Sequence, residues 1–253
     1  MSPLLSIEGL SVRFGALTAV DDVSFHVGMS EIVGLVGPNG AGKTTTFNAI
    51  SGQAAPTAGQ IRFDGHSVTH ASPEQVARLG IMRTFQNVRL FADLSVRENV
   101  MLGAYASQPC SVPAAMFRLG RHGRAERAAG ELADHWIDRL GLGAFRDTAA
   151  VTLPLGLQRV VEVSRALAGS PRLVLLDEPA AGLNETEKAR LADLLRLAVT
   201  ESACALLVVE HDMPMVMGLV ERVVVLDFGR KLAEGTPAEI MNDPDVIRVY
   251  LGS

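Results

Sequence analysis

Cysteine is scarce: only Cys110 and Cys204 occur, far apart and in unlike surroundings. They form neither a disulfide framework nor a zinc pattern, and they suit a reducing compartment. No run of about 18 apolar residues is present, so no membrane-spanning helix is expected. The opening residues, from Met1 to Glu8, carry no basic region and no cleavage signal, so no targeting segment is expected there. A positive excess is missing too. Lys and Arg number 23 against 28 Asp and Glu, a net charge of −5. That balance argues against a nucleic-acid backbone as partner. Internal repeats and low-complexity tracts are also lacking.

What remains is an ordinary folding composition. Of 253 residues, 48% are hydrophobic and 20% charged, which excludes intrinsic disorder. A chain of this length buries roughly 70–75% of its unfolded surface and needs no staple. It is long for one domain and short for two, but large α/β domains reach this size alone.

Patterning along the chain favours α/β. Val23, Phe25 and Val27 alternate with Ser24 and His26, the period of a half-buried strand. Residues 32–36 form a short apolar run, as in a strand covered on both faces. Residues 60–65 read as a strand closed by an Asp-Gly turn. Ser95 and Glu98 make a capping box that opens a helix, and residues 113–145 keep a helical period. From Arg172 strands and helices alternate again: strands at 173–176, 205–209 and 223–227, and a helix at 185–201. Thr236, Pro237 and Glu239 open a helical tail. The expected architecture is a mixed-sheet core at 1–91 and 169–234, a helical insertion at 92–168 and a tail at 235–253. Within the insertion Arg118, Arg121, Arg124 and Arg127 are nearly balanced by acids, so they read as a solvated helix face.

The chemistry concentrates in one motif. Gly37, Pro38, Asn39, Gly40, Ala41, Gly42, Lys43 and Thr44 fit G-x-x-x-x-G-K-[ST] in full, between a predicted strand and a predicted helix. Glycines let successive backbone N–H groups face one concavity that cradles phosphates, and the following helix adds its positive dipole end. Lys43 is expected to reach the β- and γ-phosphates, and the Thr44 hydroxyl to bind Mg²⁺. Residues 173–176 bury a strand with Asp177 and Glu178 at its carboxyl end, where parallel sheets collect ligands. There one carboxylate can hold Mg²⁺ through water and the next can orient or deprotonate an attacking water.

The order of motifs resembles the ATP-binding subunits of ABC transporters over nearly the whole chain. Residues 37–45, ending in Thr45, match the Walker A loop, and Gln86, between Phe85 and Asn87, matches the Q-loop. Residues 153–159 lie where the signature belongs, with Gly156, Leu157 and Gln158 at its centre. Residues 173–178 match Walker B with its glutamate, residues 181–184 match the D-loop, and His211 matches the switch histidine. Phe14 sits where the family places an aromatic against adenine. Each of these residues alone is unremarkable; a lone histidine after a strand is more often structural or solvated. Their order relative to Lys43 and Asp177 is what carries the likeness. Residues 88–91, residues 179–184 and the tail resemble the branched-chain amino acid importers, and the first of their two ATPases is the closer match. Urea or other amide importers and the lipopolysaccharide-export ATPase share much of the pattern and remain open at this level.

The resemblance implies a P-loop NTPase core with an antiparallel β-subdomain and an inserted helical subdomain. It implies ATP and Mg²⁺ as ligands. Mg²⁺ falls to Thr44, Gln86 and Asp177, and catalysis to Glu178, His211 and Gln86. It implies two ATPase subunits facing head to tail, with Gly156 of one capping the γ-phosphate on the other, and a heterodimer is favoured. It further implies polytopic permease subunits, a periplasmic binding protein acting indirectly, and a place on the cytoplasmic face of the inner membrane. One departure stands out. The usual signature begins Leu-Ser-Gly-Gly-Gln, whereas here Pro154, Leu155 and Leu157 replace the Ser, the first Gly and the Gln. The serine hydroxyl is gone, and proline has no N–H to offer. A P-loop kinase or GTPase is disfavoured by His211 and by the absence of an Asn-Lys-x-Asp motif. A nucleic-acid-associated ABC ATPase is disfavoured by the single cassette and the acidic charge.

Overall fold

The computed structural model describes residues 3–84, 88–106 and 121–251. Gln86 and Cys110 lie outside the described residues. Two sheets organise what is described. Strands β1 (Leu5–Phe14), β2 (Leu17–Val27), β4 (Ala58–Phe63) and the two-residue β5 (His66–Ser67) make an antiparallel sheet in the order β2-β1-β4-β5. Six further strands make the central sheet: β3 (Ile32–Val36), β6 (Ile81–Arg83), β7 (Leu173–Asp177), β8 (Ala205–Val209), β9 (Arg222–Asp227) and β10 (Arg230–Gly235). Their order is β10-β9-β3-β8-β7-β6, parallel throughout except for the edge strand β10.

Period-two alternation divides the core. Val33, Leu35, Leu175, Leu207, Val224 and Leu226 face the antiparallel sheet and helix α1 (Lys43–Ile50). Their chain neighbours Ile32, Val36, Val174, Leu176, Val208 and Val225 face the opposite layer. That layer holds α5 (Leu155–Ala168), α6 (Glu185–Ser202) and α7 (Met213–Leu219). Strands β3, β7 and β8 are buried at every position, as a strand with both faces covered requires.

Helices α3 (Val96–Ala106), α4 (Arg121–Arg139) and α5 pack on one another around Val100, Ala133, Ile137 and Val160. The Ser95 box forms: the Glu98 carboxylate accepts from Ser95 N–H at 2.8 Å, and Ser95 Oγ accepts from Glu98 N–H at 3.2 Å. Thr236 and Glu239 form the same device at the start of α8 (Pro237–Met241). Helix α9 (Pro244–Leu251) follows, with Val246 in the core. Three strands escape the sequence patterning. β5 and β6 are too short to show a period, and β10 reads Arg-Lys-Leu-Ala-Glu-Gly, without clean alternation. Helices α2 (Pro73–Arg78) and α7 also go unread, because each is at most two turns long.

Candidate functional site

The phosphate loop leaves β3 at Val36 and is held between two strands. Gly37 has φ 149°, and a Cβ there would lie 2.1 Å from the Leu226 carbonyl oxygen on β9. Gly42 has φ 96°, and its Cβ would lie 2.6 Å from the Ala19 oxygen on β2. Only glycine passes both points. Gly42 is also the N-cap of α1 and has no capping side chain, so the first-turn N–H groups are free for an anion.

Lys43 is buried. Its ammonium donates to the carbonyl oxygens of Gly37 at 2.7 Å and Pro38 at 2.9 Å. Burial pulls its pKa down, and the negative charges of Glu178 and then Asp177 oppose that pull. A cavity of about 490 Å³ opens beside the loop. Its walls include Asn39, Gly40, Ala41, Gly42, Lys43, Thr44 and Thr45, with Glu178 and His211 across from them. Leu17, Thr18, Ala19 and Phe228 complete the walls.

Strand order explains this meeting. β8 lies between β3 and β7, so His211 after β8 is delivered between the phosphate loop and Glu178 after β7. His211 Nε2 donates to Glu178 Oε1 at 2.9 Å, since the carboxylate has no hydrogen to give. Glu178 sits at φ 49°, an uncommon conformation for a non-glycine residue, with its N–H bound to Val209 O at 2.9 Å. Glu210 fastens the corner. Its buried carboxylate accepts from Ala180 N–H at 2.6 Å and His211 N–H at 3.1 Å, while burial pushes its pKa up.

Asp177 is not among the cavity's lining residues, but its charge acts on Lys43, which is. Its Oδ2 accepts from Arg83 at 2.8 Å, Asp177 is buried and Arg83 partly so, and Asp177 N–H is 3.4 Å from Thr84 Oγ1. Arg83 also donates to Asn48 Oδ1 and Ser51 Oγ and lies over the Phe47 ring. Sequence reasoning passed over Arg83 and Glu210, yet each had a signal. Arg83 precedes the Thr84-Phe85-Gln86 segment, and Glu210 precedes His211. Phe14 is not among the lining residues; it is 55% exposed and pairs across the hairpin with Leu17, a wall of the cavity. Tyr250 on α9 takes a backbone hydrogen bond from Gly37, while burial pushes its pKa up to about 12. The tail thus reaches the first residue of the phosphate loop.

The signature residues lie apart from this cavity's lining. Pro154 is the N-cap of α5 and caps nothing with its side chain. Gly156 abuts α6, where a Cβ would lie 2.9 Å from Glu187 Oε1. The Gln158 amide folds back onto the Leu153 oxygen at 2.7 Å and the Val151 oxygen at 3.1 Å. Leu157 packs partly buried against the helical core. Gly182 meets Leu155, so the D-loop and the signature touch within the chain.

A family model described as ABC transporter matches residues 20–181. The chain belongs to the ABC transporter family. A second model, branched-chain amino acid ATP-binding cassette transporter, matches the cassette's tail at 230–253. The cassette is 42% identical over 250 residues to the Pseudomonas aeruginosa protein BraF, a high-affinity branched-chain amino acid transport ATP-binding protein. That alignment covers 99% of this chain and 98% of BraF. It is 41% identical to Escherichia coli LivG, of the same description, with the same coverage. Among solved structures, a nucleotide-free ATP-binding cassette from an ABC transporter superposes with TM-score 0.84 at 27% identity, over 100% of both chains. An ADP-state cassette superposes with TM-score 0.85 at 25% identity, again over 100% of both. Among the described residues of the cassette, no helix is long and apolar enough to cross a membrane.

Proposed function

We propose that this ATPase is the hydrolysing subunit of an importer for branched-chain or other hydrophobic amino acids. It sits on the cytoplasmic face of the inner membrane, beneath polytopic permease subunits. The observation that carries the reading is the 42% identity to BraF along 99% of the chain, joined by the tail match at 230–253. A urea-type or lipopolysaccharide-export system is the lesser reading; the export protein LptB of Acidithiobacillus ferridurans is 36% identical. The core comprises 1–91 and 169–234, the helical subdomain 92–168 and the tail 235–253.

The roles follow from the chemistry. Lys43 leaves the two carbonyls and binds the β- and γ-phosphates, while the free N–H groups at the start of α1 hold the same anion. A hard cation with phosphate oxygens and waters fits the oxygen donors present, the Thr44 hydroxyl and the Asp177 carboxylate. Mg²⁺ bound there would offset phosphate charge; Gln86 is assigned beside it. Glu178 accepts the proton of the attacking water, and His211 holds that carboxylate in place. Phe14 stacks on the base. Two cassettes face each other, and Gly156 of one completes the site of the other. That Gly156, Leu157 and Gln158 lie apart from this chain's own cavity lining supports the exchange. The favoured partner is a second, different ATPase subunit, and a periplasmic binding protein acts through the permease. No nucleic acid is involved.

Affinity purification from membranes tests the assignment: a polytopic permease co-purifies with this chain, and recovery with ribosomes or DNA instead would reverse the reading. The altered signature gives a second test. Pro154→Ser supplies the missing hydroxyl, and a charge-assisted bond is worth about 1.5–3 kcal/mol. ATP-dependent dimerisation should tighten by about tenfold or more. Serine also caps α5, so thermal stability rises whether or not it reaches a phosphate, by about 1 kcal/mol. Unchanged dimerisation with raised stability shows that the hydroxyl was not limiting.

A further inference from the structure

The hairpin between β9 and β10 turns on Phe228 and Gly229, at φ 42° and 80°. Two positive φ values in a two-residue hairpin turn call for Asn-Gly, and a phenylalanine there is out of place. Phe228 is also 88% exposed, the most open of the large apolar residues described. An apolar ring in a costly backbone conformation and in water has no account in folding.

Its position offers one. The turn is tied to the phosphate loop and to β2: Gly229 N–H donates to Ala41 O at 3.1 Å, and Asp21 N–H donates to Gly229 O at 2.7 Å. Gly229 lies so close to β2 that a Cβ would come within 2.9 Å of the Ala19 oxygen. The ring is therefore carried on a rigid mount at the mouth of the loop cavity. Phe228 shares that mouth with Leu17, Thr18 and Ala19, while the charged walls Glu178 and His211 belong to the hydrolytic centre. A polyphosphate seated on the loop with its terminus toward Glu178 must run its sugar and base out along the remaining walls. Leu17, Ala19 and Phe228 make those walls largely apolar.

We propose that Phe228 is a binding residue for the base and ribose of the nucleotide, a second aromatic contact besides Phe14. The inference rests on the reading of this cavity as the nucleotide site. Stacking on a ring is indifferent to the base's edge, so ATP and GTP benefit alike.

The test is calorimetric titration of the full chain and its Phe228→Asn variant with MgATP, MgGTP and Mg-tripolyphosphate. Asparagine suits the turn, so melting stays level or rises. The variant binds ATP and GTP about fivefold or more weakly and binds tripolyphosphate as the parent does. ATP affinity within twofold of the parent overturns the proposal, and so does an equal loss for tripolyphosphate, which means that the loop moved. Lys43→Ala, run alongside, weakens nucleotide and tripolyphosphate together. If it weakens neither, the nucleotide-site reading itself fails, an outcome separate from that of Phe228.

Discussion

Glu178→Gln abolishes turnover and leaves ATP binding intact. The substitution keeps the shape of the side chain and an oxygen for His211 Nε2, now 2.9 Å from the carboxylate. It removes the capacity to take a proton. General-base catalysis contributes about 10²- to 10⁴-fold, and phosphate release should fall by that factor. On the proposed reading nucleotide contacts come from the loop backbone, Lys43 and the apolar mouth, none of which the change touches, so the dissociation constant for MgATP should stay within about twofold. On the proposed pairing, blocked hydrolysis leaves ATP between two cassettes, and size-exclusion chromatography with MgATP should show a persistent dimer, of two copies or of this chain with the second ATPase subunit. Hydrolysis near the parent rate would remove Glu178 from the role of base and shift attention to His211.

Arg83→Met destabilises the protein severely. The Arg83–Asp177 pair is largely buried, with side chains 9% and 7% exposed. Deleting one partner of a buried pair leaves an uncompensated charge and costs about 3–5 kcal/mol. For a chain of this size that lowers the melting temperature by on the order of 10 °C. Adding Asp177→Asn removes the stranded charge and should recover a measurable part of the loss, whereas Asp177→Asn alone is milder. A melting temperature within about 2 °C of the parent for Arg83→Met contradicts the account. The pair also joins β6 to β7, and β6 leads directly toward Gln86. Arg83→Lys serves as the comparison: it keeps the charge but loses the fork that reaches Asp177 and Asn48 together.

Much of the site was legible because phosphate binding imposes local requirements. A loop that passes 2.1 Å from where a Cβ would meet Leu226 O admits only glycine, so Gly37 shows in the text of the chain. Strands covered on both faces must be apolar throughout, and β3, β7 and β8 could be read for that reason. Capping boxes at Ser95 and Thr236 depend on residues three apart, and both formed as read. Arg83, Glu210 and Phe228 were passed over because their partners lie far along the chain. An arginine before a strand's end says nothing until Asp177 is set beside it. A phenylalanine in a turn says nothing until β2 and the phosphate loop close around it.

Local chemistry, then, was written in the amino-acid order: a phosphate loop, a carboxylate pair after a buried strand, a histidine after another. Each demands particular residue types within a few positions of one another, and such demands survive without a fold. Adjacency was a different matter. The insertion of β8 between β3 and β7 places His211 against Glu178 and both across from Lys43. The same packing turned Asp177 toward Arg83 and left Gly156 against α6, outside its own chain's cavity lining. Strand order is settled by which buried faces can be covered by helices and by the antiparallel sheet together. No short stretch of sequence contains that competition.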